Sequence, residues 1–187
     1  MTRIFDILFS FLGLVILSPI LIVLMIIGYF DTGSPIFRQE RVGKGKRPFR
    51  LVKFRSMHVN APSVATHLAC ASFITPFGSF LRKSKLDELP QLWNVLLGDM
   101  SMVGPRPNLL TQKELIHVRH SLGVYSVRPG ITGLAQIRKI DMATVELLAE
   151  TDAKMILELN ILNYFKFIFL TVLGKGFGDR ITEGKKM

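Results

Sequence analysis

Two neighbouring carboxylates, Asp87 and Glu88, stand in the stretch SKLDELPQLWNVLLGDMSMVGPRP, with Pro90, an apolar run and then Arg106 between two prolines behind them. Proline is tolerated in the first turn of a helix, where its missing N–H has no partner to lose. Pro90 therefore sets a helix start near Leu86–Glu88, with Leu92, Trp93, Val95 and Leu96 on the buried side. Asp87 then lies at or beside the N-cap, and Ser84 offers another cap. The plainest role of the pair is capping by Asp87 and dipole complementation by Glu88. A second role is chemical. A helix start attracts anions, so a phosphate can approach a carboxylate there, above all with a divalent cation. Adjacent helical residues point about 100° apart, which lets one carboxylate attack while the other handles a proton. Arg106 sits between Pro105 and Pro107, and Arg128 precedes Pro129-Gly130. Each is carried on stiff backbone, which suits a planar donor that grips phosphate; taken singly, each reads equally as a surface ion pair.

The chain that must position these groups has 187 residues, a formal charge of +10 and a mean hydropathy of +0.35. Basic and apolar together point to an anionic membrane surface, or to anionic substrates met at one. Eight Lys and Arg residues between Arg38 and Arg55 would suit nucleic acid. No zinc-finger spacing, RNA-binding aromatic signature or heptad zipper accompanies them, so nucleic acid is not the expected partner. The lone Cys70 excludes an intramolecular disulfide and reads as a small, partly buried residue. His117 and His120 lie three apart with no carboxylate or cysteine to complete a metal set, and read as surface or packing residues.

Between Asp6 and Asp31 no residue is charged. That stretch of about 24 residues makes roughly 36 Å of helix, against a hydrocarbon core of about 30 Å. It is too long for a cleaved signal peptide and lacks a small-residue cleavage site. Pro19 crowds the Val15 carbonyl, so a kink is expected at Ser18-Pro19, with Ser18 bonding back to Leu14. A kinked helix can cross the bilayer or turn back; length favours crossing. Arg38, Arg41, Lys44, Lys46, Arg47 and Arg50 place the chain after Asp31 on the cytoplasmic side.

Beyond the anchor, FRQERVGKGKRPFR suits a turn or hairpin, and PFRLVKFRSM a short strand. Residues 58–72 show no clear period and read as a loop with room for helical turns. Phe73, Phe77, Phe80 and Leu81 recur at helical spacing, for a core-facing or an interfacial helix. VRPGITGLAQI reads as loop and short strand. The stretch after Asp141 is mostly helical, with Asp141 and Thr151 as candidate caps and Gly174 as a stop. Its aromatic end around Tyr164–Leu170, with Lys166 and Lys175, suits a helix lying in the headgroup layer.

Taken in order, the anchor with Ser18-Pro19, FRQERVGKGKRPFRLVKFRSM, TPFGSFLRKSKLDELPQLWNVLLGDMSMVGPRP and VRPGITGLAQI make the chain, from about Arg3 to about Tyr164, resemble a small monotopic phosphoglycosyl transferase of the bacterial sugar transferase kind. The resemblance implies an α+β, mainly helical fold. It also implies a re-entrant membrane helix over 1–31, broken at Ser18-Pro19, and a catalytic domain with interfacial helices over 32–187. The domain would lie on the cytoplasmic face of the bacterial inner membrane. It implies that Asp87 is a nucleophile that attacks the sugar-bearing phosphorus of a UDP-sugar and expels UMP. A polyprenol phosphate then takes the phosphosugar, the first membrane step of glycan assembly. Glu88 matches the partner that assists proton handling or metal positioning, with Mg²⁺ as cofactor and Asp87 as its ligand. Arg106 and Arg128 match phosphate-binding motifs, and Lys53 and Arg55 are further candidates for the same pocket. Membrane lipids are expected partners; neither pattern nor composition decides between one copy and a homo-oligomer. After GLAQI, many relatives have a Gly or Asn-Gly turn where this chain has RKIDMATVE, and that departure bears on sugar choice. The alternative is a membrane-bound, non-enzymatic partner of glycan assembly in which the carboxylates only cap a helix.

Overall fold

The computed structural model describes residues 2–62 and 71–174. Cys70 and part of the loop expected over 58–72 lie outside the described residues. The chain is mainly helical, with two small two-stranded sheets.

Helix α1, Thr2–Thr32, is about 46 Å long at 1.5 Å per residue. Among the described residues it is the one helix long and apolar enough to cross a membrane. It continues through Pro19, so the break expected at Ser18-Pro19 does not interrupt the helix. Proline leaves the Val15 carbonyl without its usual donor. Ser18 Oγ donates to that carbonyl at 2.7 Å, not to Leu14 as expected, because Val15 O is the acceptor that proline vacates.

One stripe of α1 is packed against the rest of the chain on both sides of Pro19. Arg3 donates to the Val95 and Leu96 carbonyls at 2.6 and 3.0 Å. Buried Asp6 accepts from Ser101 Oγ, Met102 N and Tyr164 Oη at 2.8–2.9 Å. Gly13 lies against Leu92. Beyond the proline, Leu21 and Leu24 pack with Phe54 and Leu81, and Asp31 accepts from Thr75 Oγ1 at 2.7 Å. Positions 3, 6, 10, 13 and 21, 24, 28, 31 follow the three-four alternation of a helix face. Ile4, Val15, Ile16, Ile22, Tyr29 and Phe30 are exposed on the remainder.

The Gly/Lys-rich connector is a hairpin, as its glycines suggested. Strand β1 (Ile36–Val42) pairs antiparallel with β2 (Pro48–Phe54) through a turn at Lys44–Lys46, where Gly45 and Lys46 have positive φ. Helix α2 (Pro76–Ser84) starts at Thr75, whose side chain accepts from Gly78 N. Phe73 falls outside this helix, and Phe80 is exposed on it while Leu81 is fully buried. Helix α3 (Gln91–Leu97) is followed by β3 (Ser101–Val103) and α4 (Lys113–Ser121). His117 and His120 are exposed on α4. Strand β4 (Gly130–Thr132) pairs in parallel with β3 and leads into the short α5 (Leu134–Ile137).

The mostly helical stretch expected after Asp141 is two helices, α6 (Val145–Glu158) and α7 (Ile161–Val172). Leu159 is extended, and Asn160 caps α7 by accepting from Asn163 N at 2.8 Å. Thr151 is buried inside α6 and caps nothing, because the break falls at Leu159-Asn160. Asp141 bonds Ala143 N in a local turn ahead of α6 instead of capping it. Gly174, with φ near +80°, follows the end of α7 as a stop should. Tyr164 and Phe167 of α7 are buried beside Phe5 and Phe9 of α1, whereas Leu162, Phe169 and Val172 are exposed.

The β3–β4 pair brings the two motifs VGPRP and RPGITG together, and it is glycine that lets them meet. A Cβ on Gly130 would lie 2.0 Å from Gly104 N, and one on Gly104 2.5 Å from Arg128 O. Both contacts are with backbone, which cannot swing aside. Gly130→Ala is therefore expected to cost about 3 kcal/mol or more, read as a lowered thermal midpoint of the detergent-solubilised protein. A midpoint like that of the wild type would contradict the contact.

Candidate active site

The carboxylates lie between α2 and α3, in a 3₁₀ turn at Leu86–Glu88. Lys85 ends α2 in the left-handed region (φ 60°, ψ 15°) and turns the chain into this segment. A non-glycine residue there costs roughly 1–2 kcal/mol, a strain that packing around the turn must hold. Leu89 and Pro90 then carry helical dihedrals into α3.

Neither expected cap forms. No side chain caps the 3₁₀ turn or α3. Ser84 Oγ donates back to the Phe80 and Leu81 carbonyls, because it closes α2 instead of opening the next helix. Asp87 is therefore not the N-cap, while both carboxylates stay in the first turn of the 3₁₀ segment, where the dipole role read for Glu88 still applies. Trp93 is also not where its hydrophobicity suggested: it is 49% exposed, while Leu92 and Val95 are buried and Leu96 half-buried. A seven-residue helix packed on one side buries a narrow stripe, and the side occupied at 91, 92, 94 and 95 leaves position 93 outward.

Asn94 fixes α3, and with it the carboxylates, onto β2. Its side-chain amide donates to Arg50 O at 2.8 Å and accepts from Val52 N at 2.9 Å, so it docks like one more strand residue. The other end of α3 is closed by Gly98 at positive φ, by Arg3 on two of its last carbonyls, and by Arg128, whose Nε donates to Gly98 O at 2.7 Å. Cations suit that end of a helix.

Asp87 is 2% exposed and Glu88 9%. Glu88 Oε1 receives Arg106 Nη2 at 2.6 Å, across 18 residues of sequence. The structure thus brings Glu88 and Arg106 together, beside Asp87. Arg128 makes its bond at the opposite end of α3. Lys53 is buried on β2, which packs against the 3₁₀ turn. Lys53 and Arg55 both stand over the Phe37 ring, at 5.7 and 5.4 Å. Arg55 also donates to Ser34 O at 2.8 Å, which ties it to the start of β1.

The loop carrying Arg106 is held from outside. Two of its residues are prolines and have no N–H to offer. Arg119 of α4 donates to Arg106 O at 2.9 Å and Arg41 of β1 to Pro107 O at 3.1 Å, and Asn108 O accepts from Val42 N at 2.9 Å. Arg119 also pairs with Asp152 of α6 at 2.6 Å, both essentially fully buried. Burial pushes the Asp152 carboxyl above the usual carboxylate range, and the Arg119 guanidinium pulls the other way. Sequence reading missed Asn94, Arg119 and Asp152. Arg41 appeared there only as one of a run of cations. The sole signal was an arginine and an aspartate on the inward stripe of amphipathic helices, which needs the helix register to be seen.

Among the described residues no three His, Cys, Asp or Glu gather into a metal set. Magnesium is typically held by one or two carboxylates together with substrate phosphates, retaining waters. Asp87 beside Glu88 fits a cation that arrives with a diphosphate, and does not form a self-sufficient protein cage.

Over residues 1–176 the sequence matches the family described as bacterial sugar transferase. The chain belongs to the bacterial sugar transferase family. It is 40% identical over 185 residues to the UDP-glucose:undecaprenyl-phosphate glucose-1-phosphate transferase of Klebsiella pneumoniae, covering 94% of this chain and 40% of that protein. It is 35% identical over 188 residues to the UDP-galactose-lipid carrier transferase of Erwinia amylovora, covering 91% of this chain and 39% of that protein. A UDP-N-acetylgalactosamine-undecaprenyl-phosphate N-acetylgalactosaminephosphotransferase of Aeromonas hydrophila is 39% identical over 137 residues, with 71% of this chain and 32% of that protein covered. The chain thus spans about two fifths or less of the length of these three relatives.

Proposed function

We propose that this bacterial sugar transferase moves a sugar-1-phosphate from a UDP-sugar to a polyprenol phosphate through a covalent aspartyl intermediate. The observation that carries the reading is the placement of Asp87 and Glu88. They sit on the turn that left-handed Lys85 opens, where Glu88 pairs with the Arg106 guanidinium, within a family whose relatives are named for this transfer. An Asp87 oxygen attacks the sugar-bearing phosphorus, forming the Asp–O–P bond as the P–O bond to UMP breaks and UMP leaves. A phosphate oxygen of the polyprenol carrier then attacks the same phosphorus. The acyl-phosphate bond breaks, the Asp87 carboxylate returns, and a polyprenyl-diphosphate-sugar leaves.

Attack requires the phosphorus to come within about 3–3.5 Å of Asp87. At 2% exposure, that approach needs the side chains around the turn to move aside as the donor binds. The same enclosure keeps water from an acyl phosphate, which water would hydrolyse. Arg106 is well placed to share its guanidinium between Glu88 and the transferring phosphate. Glu88, oriented by Arg106, is the group for proton handling on the incoming or leaving phosphate. Lys53 is a second phosphate cation on the adjacent strand, whereas Arg55 and Arg128 are engaged in holding β1 and α3. Magnesium, carried in with the diphosphate and met by Asp87, would supply charge neutralisation of the departing UMP. The test is a panel of UDP-sugars offered with undecaprenyl phosphate and magnesium. Release of UMP from at least one is expected; release from none would favour a non-enzymatic partner. The names of the three relatives carry glucose, galactose and N-acetylgalactosamine, so the panel must include all three.

We further infer that α1 is monotopic, entering and leaving on the cytoplasmic face of the inner membrane. Arg3 and Asp6 at one end and Asp31 at the other are bonded to the same body. A helix crossing the bilayer would carry its ends to opposite sides. These contacts fall to either side of Ser18-Pro19, the natural point for α1 to bow into lipid. With Cys70 replaced by serine, Thr2→Cys is expected to react with an impermeant maleimide from the cytoplasmic side alone. Labelling from the opposite side would establish a spanning helix.

A further inference from the structure

We propose that the buried Arg119–Asp152 pair is a positioning device for Arg106, fixing the Pro105–Asn108 backbone so that the Arg106 guanidinium meets Glu88; this rests on the transferase reading of the site. Three observations support it. First, Arg119 is divided between two tasks. Its Nη2 donates to Asp152 Oδ2 at 2.6 Å, while its Nη1 donates to Arg106 O at 2.9 Å and Asn108 Oδ1 at 3.0 Å. Tyr125 Oη donates to the same Asn108 oxygen at 3.0 Å. The planar fork of a guanidinium sets these directions at once, which an ammonium cannot.

Second, the loop depends on such outside donors. Pro105 and Pro107 bring no N–H, so carbonyls of the segment must be met by side chains or by another strand. Of the three successive carbonyls 106–108, Arg119 takes the one belonging to the residue whose side chain reaches Glu88.

Third, the pair is poorly built as a stability device. Arg119 is 1% and Asp152 0% exposed, and Arg119 Nε and Asp152 Oδ1 are buried without a hydrogen-bond partner. A buried ion pair that leaves polar atoms unmet is often no more stable than apolar residues of similar volume in its place. What apolar residues cannot supply is the bond to Arg106 O.

That contrast separates position from stability. In the full chain in detergent, Arg119→Met with Asp152→Leu is expected to stay folded with a modestly lowered thermal midpoint, because Arg106 O and Asn108 Oδ1 lose the donor that Arg119 supplied. Its single-turnover release of UMP should fall about 10²-fold, the scale of a small misplacement at a reacting centre. Adding Arg106→Ala to either Arg119 variant should cost less in that step than it costs the wild type, because Arg119 acts through Arg106. Arg119→Lys keeps the charge and loses the fork, and is expected to lose about tenfold in the same step while remaining folded. It serves as the test if the double variant does not fold. Wild-type UMP release by a folded variant would overturn the proposal. So would a full, additive loss from Arg106→Ala in the Arg119→Lys background, the mark of a role independent of Arg106. If the wild-type protein releases UMP from no UDP-sugar, it is the transferase reading that fails.

Discussion

Asp87→Asn is expected to abolish UMP release from the preferred UDP-sugar, by about 10⁴-fold or more, as loss of a covalent nucleophile does. The amide keeps the shape of the side chain but cannot form an acyl phosphate. Because the amide matches the buried carboxylate in size, the variant should stay folded and membrane-bound, with at most a modest fall in thermal midpoint. That combination distinguishes chemistry from folding. A variant that is folded, membrane-bound and still turning over would remove Asp87 as nucleophile. A variant that loses activity only because it unfolds would return the residue to a structural role.

The second large effect is expected at the ion pair beside it. Arg106→Ala removes the guanidinium 2.6 Å from Glu88 and, on the proposed mechanism, a donor to the transferring phosphate. Loss of one such donor commonly costs about 10²–10³ in rate. Stability should fall by only about 1–2 kcal/mol, below the cost of breaking a fully buried pair, because Arg106 is partly exposed and solvent screens Glu88 in its absence. Arg106→Lys retains charge but not the fork, and should recover only part of the rate. Glu88→Gln keeps an oxygen for Arg106 to bind and removes the proton-handling carboxylate; turnover should slow severely while some phosphosugar adduct remains detectable. The rate of UMP release and the thermal midpoint, measured on the same preparations, check all three. Rates within a few-fold of the wild type would take Arg106 out of phosphate binding.

The anchor, the hairpin, the strand at VRPGITG and the stop at Gly174 were legible because each rests on local chemistry: unbroken apolarity, glycine in turns, proline before a β-branched run. Asp87, Glu88 and Arg106 stood out by residue type, and the structure brings Glu88 and Arg106 together. Their surroundings were not legible. Pro90 signalled a helix start, but the left-handed Lys85 converts the turn before it into 3₁₀, so Asp87 and Ser84 do not cap. The split between α6 and α7 depends on Asn160, a cap hidden inside a continuous helical pattern. Ser18 bonds Val15 because proline vacated that acceptor, a choice decided by geometry and not by residue type. Asn94 docking on β2, and Arg119 bridging α4, α6 and the Arg106 loop, join residues 42 and 33 positions apart. One-dimensional periodicity does not contain such partners. Family membership supplied the order of the motifs, and the β3–β4 pairing across Gly104 and Gly130 shows how two of them come to face each other.

The covalent route is tested most directly by mass spectrometry of the full chain, incubated with a UDP-sugar and magnesium but no polyprenol phosphate. Expected is one equivalent of UMP and a protein heavier by one phosphosugar, mapped to the peptide containing Asp87 and discharged on adding the lipid acceptor. UMP formed only when acceptor is present, with the protein mass unchanged at every time point, would contradict an aspartyl intermediate and point to direct transfer between the two substrates.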